Sequence, residues 1–171
     1  MRRRLVVWVE GDRDSRFVRA VLEPRLSQIY GRVVVEEYSR RERSSVNRLL
    51  QSLRRKGDPR LFIGDKNAAP CVANRKRRVR EHYPDLDDRE IVVVCREIES
   101  WYLAGLSTEG AAALRINPPQ FTDHMSKEVN SLRPSRFETP LDFFLELLKH
   151  FDWHTACQRN KSFAYLDRML K

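Results

Sequence analysis

The chain has 171 residues, of which 41% are hydrophobic, enough to bury a sizeable core and out of keeping with a disordered chain. Its 33 Lys and Arg exceed its 24 Asp and Glu, giving a net charge of +9, and 26 of the cations are arginine, so a polyanionic partner is expected. Uninterrupted apolar runs stop at five residues, far below the roughly 18 that a membrane-spanning helix needs. Behind the basic start MRRR, Glu10 ends the apolar stretch before a signal-peptide core can form, which predicts a cytoplasmic protein with no membrane partner. The cysteines Cys71, Cys95 and Cys157 are widely spaced without a CxxC pair, which argues against a disulfide framework or a Cys-rich zinc site.

In chain order, Leu5 to Val9 is the first of four short apolar runs; the others are Val33 to Val35, Leu61 to Ile63 and Ile91 to Cys95. They lack polar alternation and are mostly β-branched, which predicts buried strands of a parallel sheet covered on both faces. Between the first two, Phe17, Val18, Val21, Leu22, Leu26 and Ile29 fall at helical spacing, with Asp12 or Asp14 placed to cap. Val46, Leu49, Leu50 and Leu53 repeat that spacing before Gly57-Asp58-Pro59. A more charged helix runs from about Cys71 to His82 and stops near Tyr83-Pro84. This alternation predicts an α/β fold, a mostly parallel four-stranded sheet flanked by helices.

After residue 96 the texture changes. Ile98, Trp101 and Tyr102 suggest a helix leaving the fourth strand directly, and Asn117-Pro118-Pro119 and Arg133-Pro134-Ser135 mark loops. Thr139, Pro140 and Asp142 form a capping-box-like start to a helix whose apolar face is expected at Leu141, Phe144, Leu145 and Leu148. A last short helix spans about Ser162 to Leu170. The expected organisation is an α/β domain over 1–106 and a helical C-terminal addition over 107–171, packed on the same domain.

Residues 1–80 hold 22 cations against 9 anions, whereas residues 81–171 hold 11 against 15. The basic surface therefore belongs to the first half, in runs at Arg2 to Arg4, Arg40-Arg41, Arg54-Arg55 and Arg75-Lys76-Arg77-Arg78. Any single run can be a solvated helix face, but four in eighty residues fit a footprint for nucleic acid. Carboxylates, in contrast, gather where the strands end. Glu10 follows the first, Asp65 the third, and Glu97 and Glu99 the fourth. Ligands of open parallel sheets bind beyond the carboxyl ends of the strands, and hard cations such as Mg²⁺ or Mn²⁺ take carboxylate oxygens. A metal site inside a basic surface suits phosphoryl transfer. Each acid also has an ordinary reading as a turn residue or first-turn helix acid, and Glu36 and Glu37 are expected to face solvent.

Other constellations carry less. His150, His154 and Cys157 have the spacing of zinc ligands on one helix face, though Phe151 and Trp153 beside them favour packing. Trp101 is a candidate base-stacking residue, while Trp8 reads as core. Neither GxxxxGK, GxGxxG nor a GxSxG elbow is present.

The segments VWVEGDRDSRF, FIGDKNAAPC and VVVCREIESWYLAG resemble the three blocks of the TOPRIM fold of topoisomerases, primases and nucleases of the overcoming-lysogenisation-defect type. In particular they resemble small stand-alone TOPRIM-like proteins of prokaryotes, to whose ending RNKSFAYLDRML is also similar. The resemblance implies a TOPRIM-like, Rossmann-like fold and Mg²⁺- or Mn²⁺-dependent work on nucleic-acid phosphodiesters. Under it, Glu10 matches the family's glutamate for acid/base function and metal organisation, and Asp65 the first acid of the DxD block. Asn67 stands where that block has its second acid. The expected metal set is Glu10, Asp65, Asn67, Glu97 and Glu99, with Arg40, Arg41, Arg54, Arg55, Arg75, Lys76, Arg77 and Arg78 on the nucleic acid. The expected function is a divalent-metal-dependent nuclease. Because an amide coordinates without charge, a catalytically inactive nucleic-acid-binding module, or an interaction protein of a defence or toxin-like system, stands as the alternative.

Overall fold

The computed structural model describes residues 4–171, so Arg2 and Arg3 of the first basic run lie outside the described residues. Four strands, β1 (Arg4–Val9), β2 (Arg32–Glu37), β3 (Arg60–Asp65) and β4 (Ile91–Val94), form one all-parallel sheet in the order β2-β1-β3-β4. The expected α/β class is correct, and the arrangement is Rossmann-like. The chain divides into two compact units, the first ending at Val93 and the second running from Val94 to Lys171. Among the described residues no helix is long and apolar enough to cross a membrane.

The strands differ in burial, and β4 is buried along its whole length although it lies at an edge. β1 is central, pairing in parallel with β2 from Arg4↔Arg32 to Val9↔Glu37 and with β3 from Val6↔Arg60 to Trp8↔Phe62. Leu5 to Val9 are accordingly buried throughout. On one face Val6, Trp8, Phe62 and Val93 pack with Val46, Leu50 and Leu53 of α3 (Arg43–Lys56) and Val79 of α4 (Val72–His82). β2 is an edge strand, and its valines are only half-buried, short of the two-sided cover expected for every strand.

Between β1 and β2 the expected single helix is three pieces, α1 (Asp12–Phe17), a π-helical turn Val18–Leu22, and α2 (Glu23–Tyr30). Pro24 near the start of α2 has no N–H to donate back and its ring crowds the preceding turn, which accounts for a widened π turn just before it. Neither Asp12 nor Asp14 caps: Gly11 holds the N-cap position without a side-chain bond, and Asp12 instead accepts from Arg16 at 2.7 Å. α3 ends as expected. Gly57 adopts φ 67°, its N–H donates to the Arg54 carbonyl, and the Asp58 N–H reaches back to Leu53, a Schellman motif that needs the left-handed residue.

The second unit is helical, with α5 (Glu99–Ala104), α6 (Thr108–Leu114), α7 (Pro140–Lys149), α8 (Trp153–Arg159) and α9 (Lys161–Met169). The Thr139/Asp142 capping box is present, but the apolar face of α7 is not the expected one. Phe143, Phe144 and Leu147 are buried while Leu141 and Leu145 are exposed, because Phe144 meets Tyr102 edge-on at 4.9 Å and Phe143 packs beside Phe137. Two aromatic rings bury more area than two leucines and set the rotation of the helix.

Asn160 organises this unit. Its amide nitrogen donates to Thr122 Oγ1 at 3.0 Å and Ser100 Oγ at 3.3 Å, and its carbonyl oxygen accepts from Ser162 Oγ and the Phe163 N–H. Ser162 Oγ in turn accepts from the Trp101 indole and the Cys95 N–H. Trp101 is thus fully buried core, which removes it as a candidate for stacking on bases. Removing one member of a satisfied buried network leaves the others unpaired, at about 1–3 kcal/mol per orphaned group. Asn160→Ala should therefore lower stability by more than about 2 kcal/mol, read as a shift in the denaturant midpoint, whereas Asn160→Gln should recover only part of it.

Candidate functional site at the carboxyl edge of the sheet

With strand order β2-β1-β3-β4, the chain direction reverses its march across the sheet between β1 and β3. In open parallel sheets that switch point opens a crevice beyond the strand ends, where ligands bind. Glu10 follows β1 immediately and Asp65 closes β3, so both stand at this crevice, on neighbouring strands whose backbones lie about 4.8 Å apart. Glu10 is exposed and Asp65 half-buried.

Local structure fixes the surroundings. The Glu10 carbonyl accepts from the Ser39 N–H and the Ser39 hydroxyl, tying the end of β1 to the 3-10 turn Tyr38–Arg40 that follows β2. Ser15 of α1 donates to Glu37 Oε1 at 2.6 Å, and Arg40 Nε meets Glu37 Oε2 at 2.7 Å. Arg41 pairs with Glu36 at 2.5 Å. Glu36 and Glu37 are thus half-buried and ion-paired, a correction to the expectation that they face solvent. Arg75 reaches from α4 to donate its Nε to the Asp65 carbonyl at 2.7 Å. A Cβ at Gly64 would lie 3.0 Å from the Phe62 ring and 3.6 Å from the Arg75 guanidinium, so glycine permits this close approach.

Tyr38 opens the 3-10 turn that follows β2. Its ring stacks on Phe62, centroids 4.9 Å apart and planes 16° from parallel. Its hydroxyl is pushed well above the ordinary phenol range, by burial first and then by the charge of Glu10, against an opposing pull from Arg75, with Asp14 and Asp65 adding to the rise. Three carboxylates and one guanidinium therefore act on a single hydroxyl. Asp14, buried in the first turn of α1, belongs to this group although the sequence suggested only a cap. Sequence reasoning also missed Tyr38 and the positioning role of Arg75; at the end of β2 it weighed only Glu36 and Glu37, and nothing in the local sequence marks Tyr38.

Other expected site residues lie as follows. Asn67 is exposed with φ 50°, a left-handed turn conformation that asparagine tolerates well. In the second unit, Glu97 is half-buried ahead of α5 and Glu99 is buried at its first position, on a turn held by Ser162 to the Cys95 N–H and by Ser100 Oγ to the Cys95 carbonyl. Arg96 in that turn has φ 64°. Among the described residues no group of three or more His, Cys, Asp or Glu side chains is arranged to hold a metal ion. His150 ends α7 and faces Glu146 at 3.5 Å, while His154 on α8 meets Gln158, so the zinc spacing is divided between two helices.

The basic residues divide by partner. Arg54 faces Asp85 at 3.7 Å, Arg77 faces Glu81 at 3.8 Å, and Lys76 donates to the Asp88 carbonyl at 2.7 Å. Arg55 and Arg78 are exposed.

The raised Tyr38 pKa has a testable sign. The folded protein keeps this phenol protonated above pH 10, where an unfolded tyrosine ionises, so its contribution to stability is complete below about pH 10 and is lost as pH rises beyond it. Between pH 9 and 11, Tyr38→Phe should lose less stability than wild type, measured by urea denaturation at each pH; parallel curves would contradict the placement of Tyr38.

No family model matches the chain, and comparison with curated proteins and with solved structures gave no match either.

Proposed function

We propose that the protein is a divalent-metal-dependent nuclease, or a closely related phosphoryl-transfer enzyme, acting on nucleic acid at the crevice between β1 and β3. The observation that carries this reading is the position of Glu10 and Asp65 at the carboxyl ends of the neighbouring strands β1 and β3, at the switch point of the sheet. The donors there are carboxylate oxygens, which is the chemistry Mg²⁺ or Mn²⁺ selects, and such ions need only one or two protein carboxylates beside water and phosphate. Glu10 and Asp65 would hold the ion, which supplies charge neutralisation at a phosphodiester. The resemblance of the three sequence blocks to TOPRIM proteins supports the same assignment.

This chain's own residues divide the remaining work. Glu10, exposed at the strand end, is placed to take a proton from an attacking water. Arg75 fixes the Asp65 backbone carbonyl at the end of β3. The alternative of a binding module that does not cut is favoured by Asn67, a neutral residue on an exposed turn.

The decisive measurements are cleavage of single-stranded and duplex DNA and RNA with Mg²⁺ or Mn²⁺, and thermal unfolding with and without the metal. At ten times its Kd a bound ion adds about 1.4 kcal/mol, which raises Tm by a few degrees for a chain of this length. Glu10→Gln should remove that shift and reduce cleavage by about 10²-fold or more. Metal binding without cleavage of any substrate would establish the binding module, and an unchanged Tm at millimolar Mn²⁺ would remove the metal site. Asn67→Asp adds a charged ligand two residues past Asp65. In a working enzyme it should change cleavage only modestly, whereas in a binding module it should tighten Mn²⁺ binding, read from the same melting curves.

A further inference from the structure

A second concavity lies at the carboxyl end of the edge strand, beside the carboxylate rim. It has a volume of about 430 Å³ and is lined by Arg19, Val35, Glu36, Glu37, Arg40 and Arg41. Three guanidinium groups against two carboxylates leave it net positive, the reverse of the strand ends at Glu10 and Asp65.

The arginines come from two directions. Arg19 projects from the π turn, a segment whose widened geometry traces to Pro24, and Arg40 and Arg41 follow β2. The ion pairs with Glu37 and Glu36 do not exhaust these two. Arg40 is engaged through Nε and Arg41 through one terminal nitrogen, which leaves further N–H donors on each fork. Pairing instead limits where the forks can go, because Glu37 is itself held by Ser15. Arg19 is exposed, and Arg40 keeps 70% of its side chain in solvent. Guanidinium forks held at their base and open at their tip match the two-oxygen face of a phosphate.

Chain connectivity relates this concavity to the rim. Ser39 bonds the Glu10 carbonyl through both its N–H and its hydroxyl, and Arg40 is the next residue. A strand whose reacting phosphodiester lies at Glu10 and Asp65 would carry a neighbouring phosphate toward Arg40. We propose that Arg19, Arg40 and Arg41 form a subsite for a backbone phosphate of a nucleic-acid strand, adjacent to the reacting one. The identity of the polymer rests on the reading of the rim as a phosphodiester site; the anion specificity of the crevice does not.

The test is binding of a labelled 20-nucleotide single-stranded oligonucleotide in EDTA, so that no cleavage intervenes, followed by anisotropy across a salt series. Arg19→Ala should weaken binding about tenfold, the worth of one charged hydrogen bond, and should lower the slope of log K against log salt by about 0.7. Arg40→Ala should do the same, Arg19→Lys should keep the slope while losing affinity, and Arg168→Ala, an exposed arginine of the second unit, should change neither. Absence of binding at low salt would overturn the proposal, as would equal losses in Arg19→Ala and Arg168→Ala. Inorganic phosphate or a mononucleotide bound as tightly as the oligonucleotide would overturn it in favour of a small phosphate ligand. If the slope falls as expected but Mg²⁺ and Mn²⁺ support no cleavage, the phosphate subsite stands and the nuclease reading fails.

Discussion

The organisation of the first unit depends on β1 being paired on both sides. A strand with neighbours on both edges and helices over its faces has no place for a charge, and Leu5 to Val9 obey this without exception. The first residue free of that restriction is Glu10. Parallel pairing brings the same transition from apolar to polar to the end of β3 at Asp65 and to the end of β2 at Glu37 and Tyr38. A common direction for all strands thus makes one edge of the sheet collect the polar residues that three separate segments release. The rim is a consequence of topology before it is a matter of chemistry.

Electrostatics then decides what such a rim can bind. Glu10, Asp14 and Asp65 would repel one another in an otherwise acidic protein, but this half of the chain carries 22 cations against 9 anions. The cations are not spread evenly around the acids. Arg75 bonds the Asp65 backbone carbonyl, and Arg40 and Arg41 pair with Glu37 and Glu36, the acids of the β2 end. The basic residues therefore position the rim and border it. A polyanion approaching such a surface meets positive potential first and the carboxylates only at the crevice, where a divalent ion reconciles the two signs.

The four strands were legible because continuous β-branched runs have few homes other than a sheet buried on both faces. At β2 that cover is incomplete and the sequence over-read the burial, whereas β4 at the opposite edge is buried throughout. Cap signals transferred well at Thr139 and Gly57, where the side chain or the φ angle is itself the mechanism, and failed at Asp12 and Asp14, whose carboxylates have other partners. Helical spacing alone could not choose between the faces of α7, since leucines and phenylalanines alternate around it and the choice is made by Tyr102 and Phe137. Glu10 and Asp65 were visible from their positions at strand ends. Tyr38 was not, because its significance comes from a stack on Phe62 and from charges at 10, 14 and 65, none of them neighbours in sequence.

The RNKSF segment carries a different lesson about reading motifs as chemistry. Its Asn160 and Ser162 are 1% and 6% exposed, and their side chains bond to each other and to the framework at Thr122, Ser100, Trp101, the Cys95 N–H and the Phe163 N–H. A distinctive polar string near a chain end invites a catalytic reading, yet here the polar atoms replace a hydrophobic contact with directional ones. Apolar packing would leave the Cys95 backbone free to shift along its neighbours, whereas a hydroxyl bonded to both the Cys95 N–H and the Trp101 indole admits one arrangement. The turn that carries Glu97 and Glu99, with Arg96 in a left-handed conformation beside them, is held at both ends of that arrangement. An arginine at positive φ is costly for a flexible turn and persists where the surrounding bonds over-determine the backbone. The buried network supplies that determination, so the polar character of the segment is explained by the precision it imposes on its own unit.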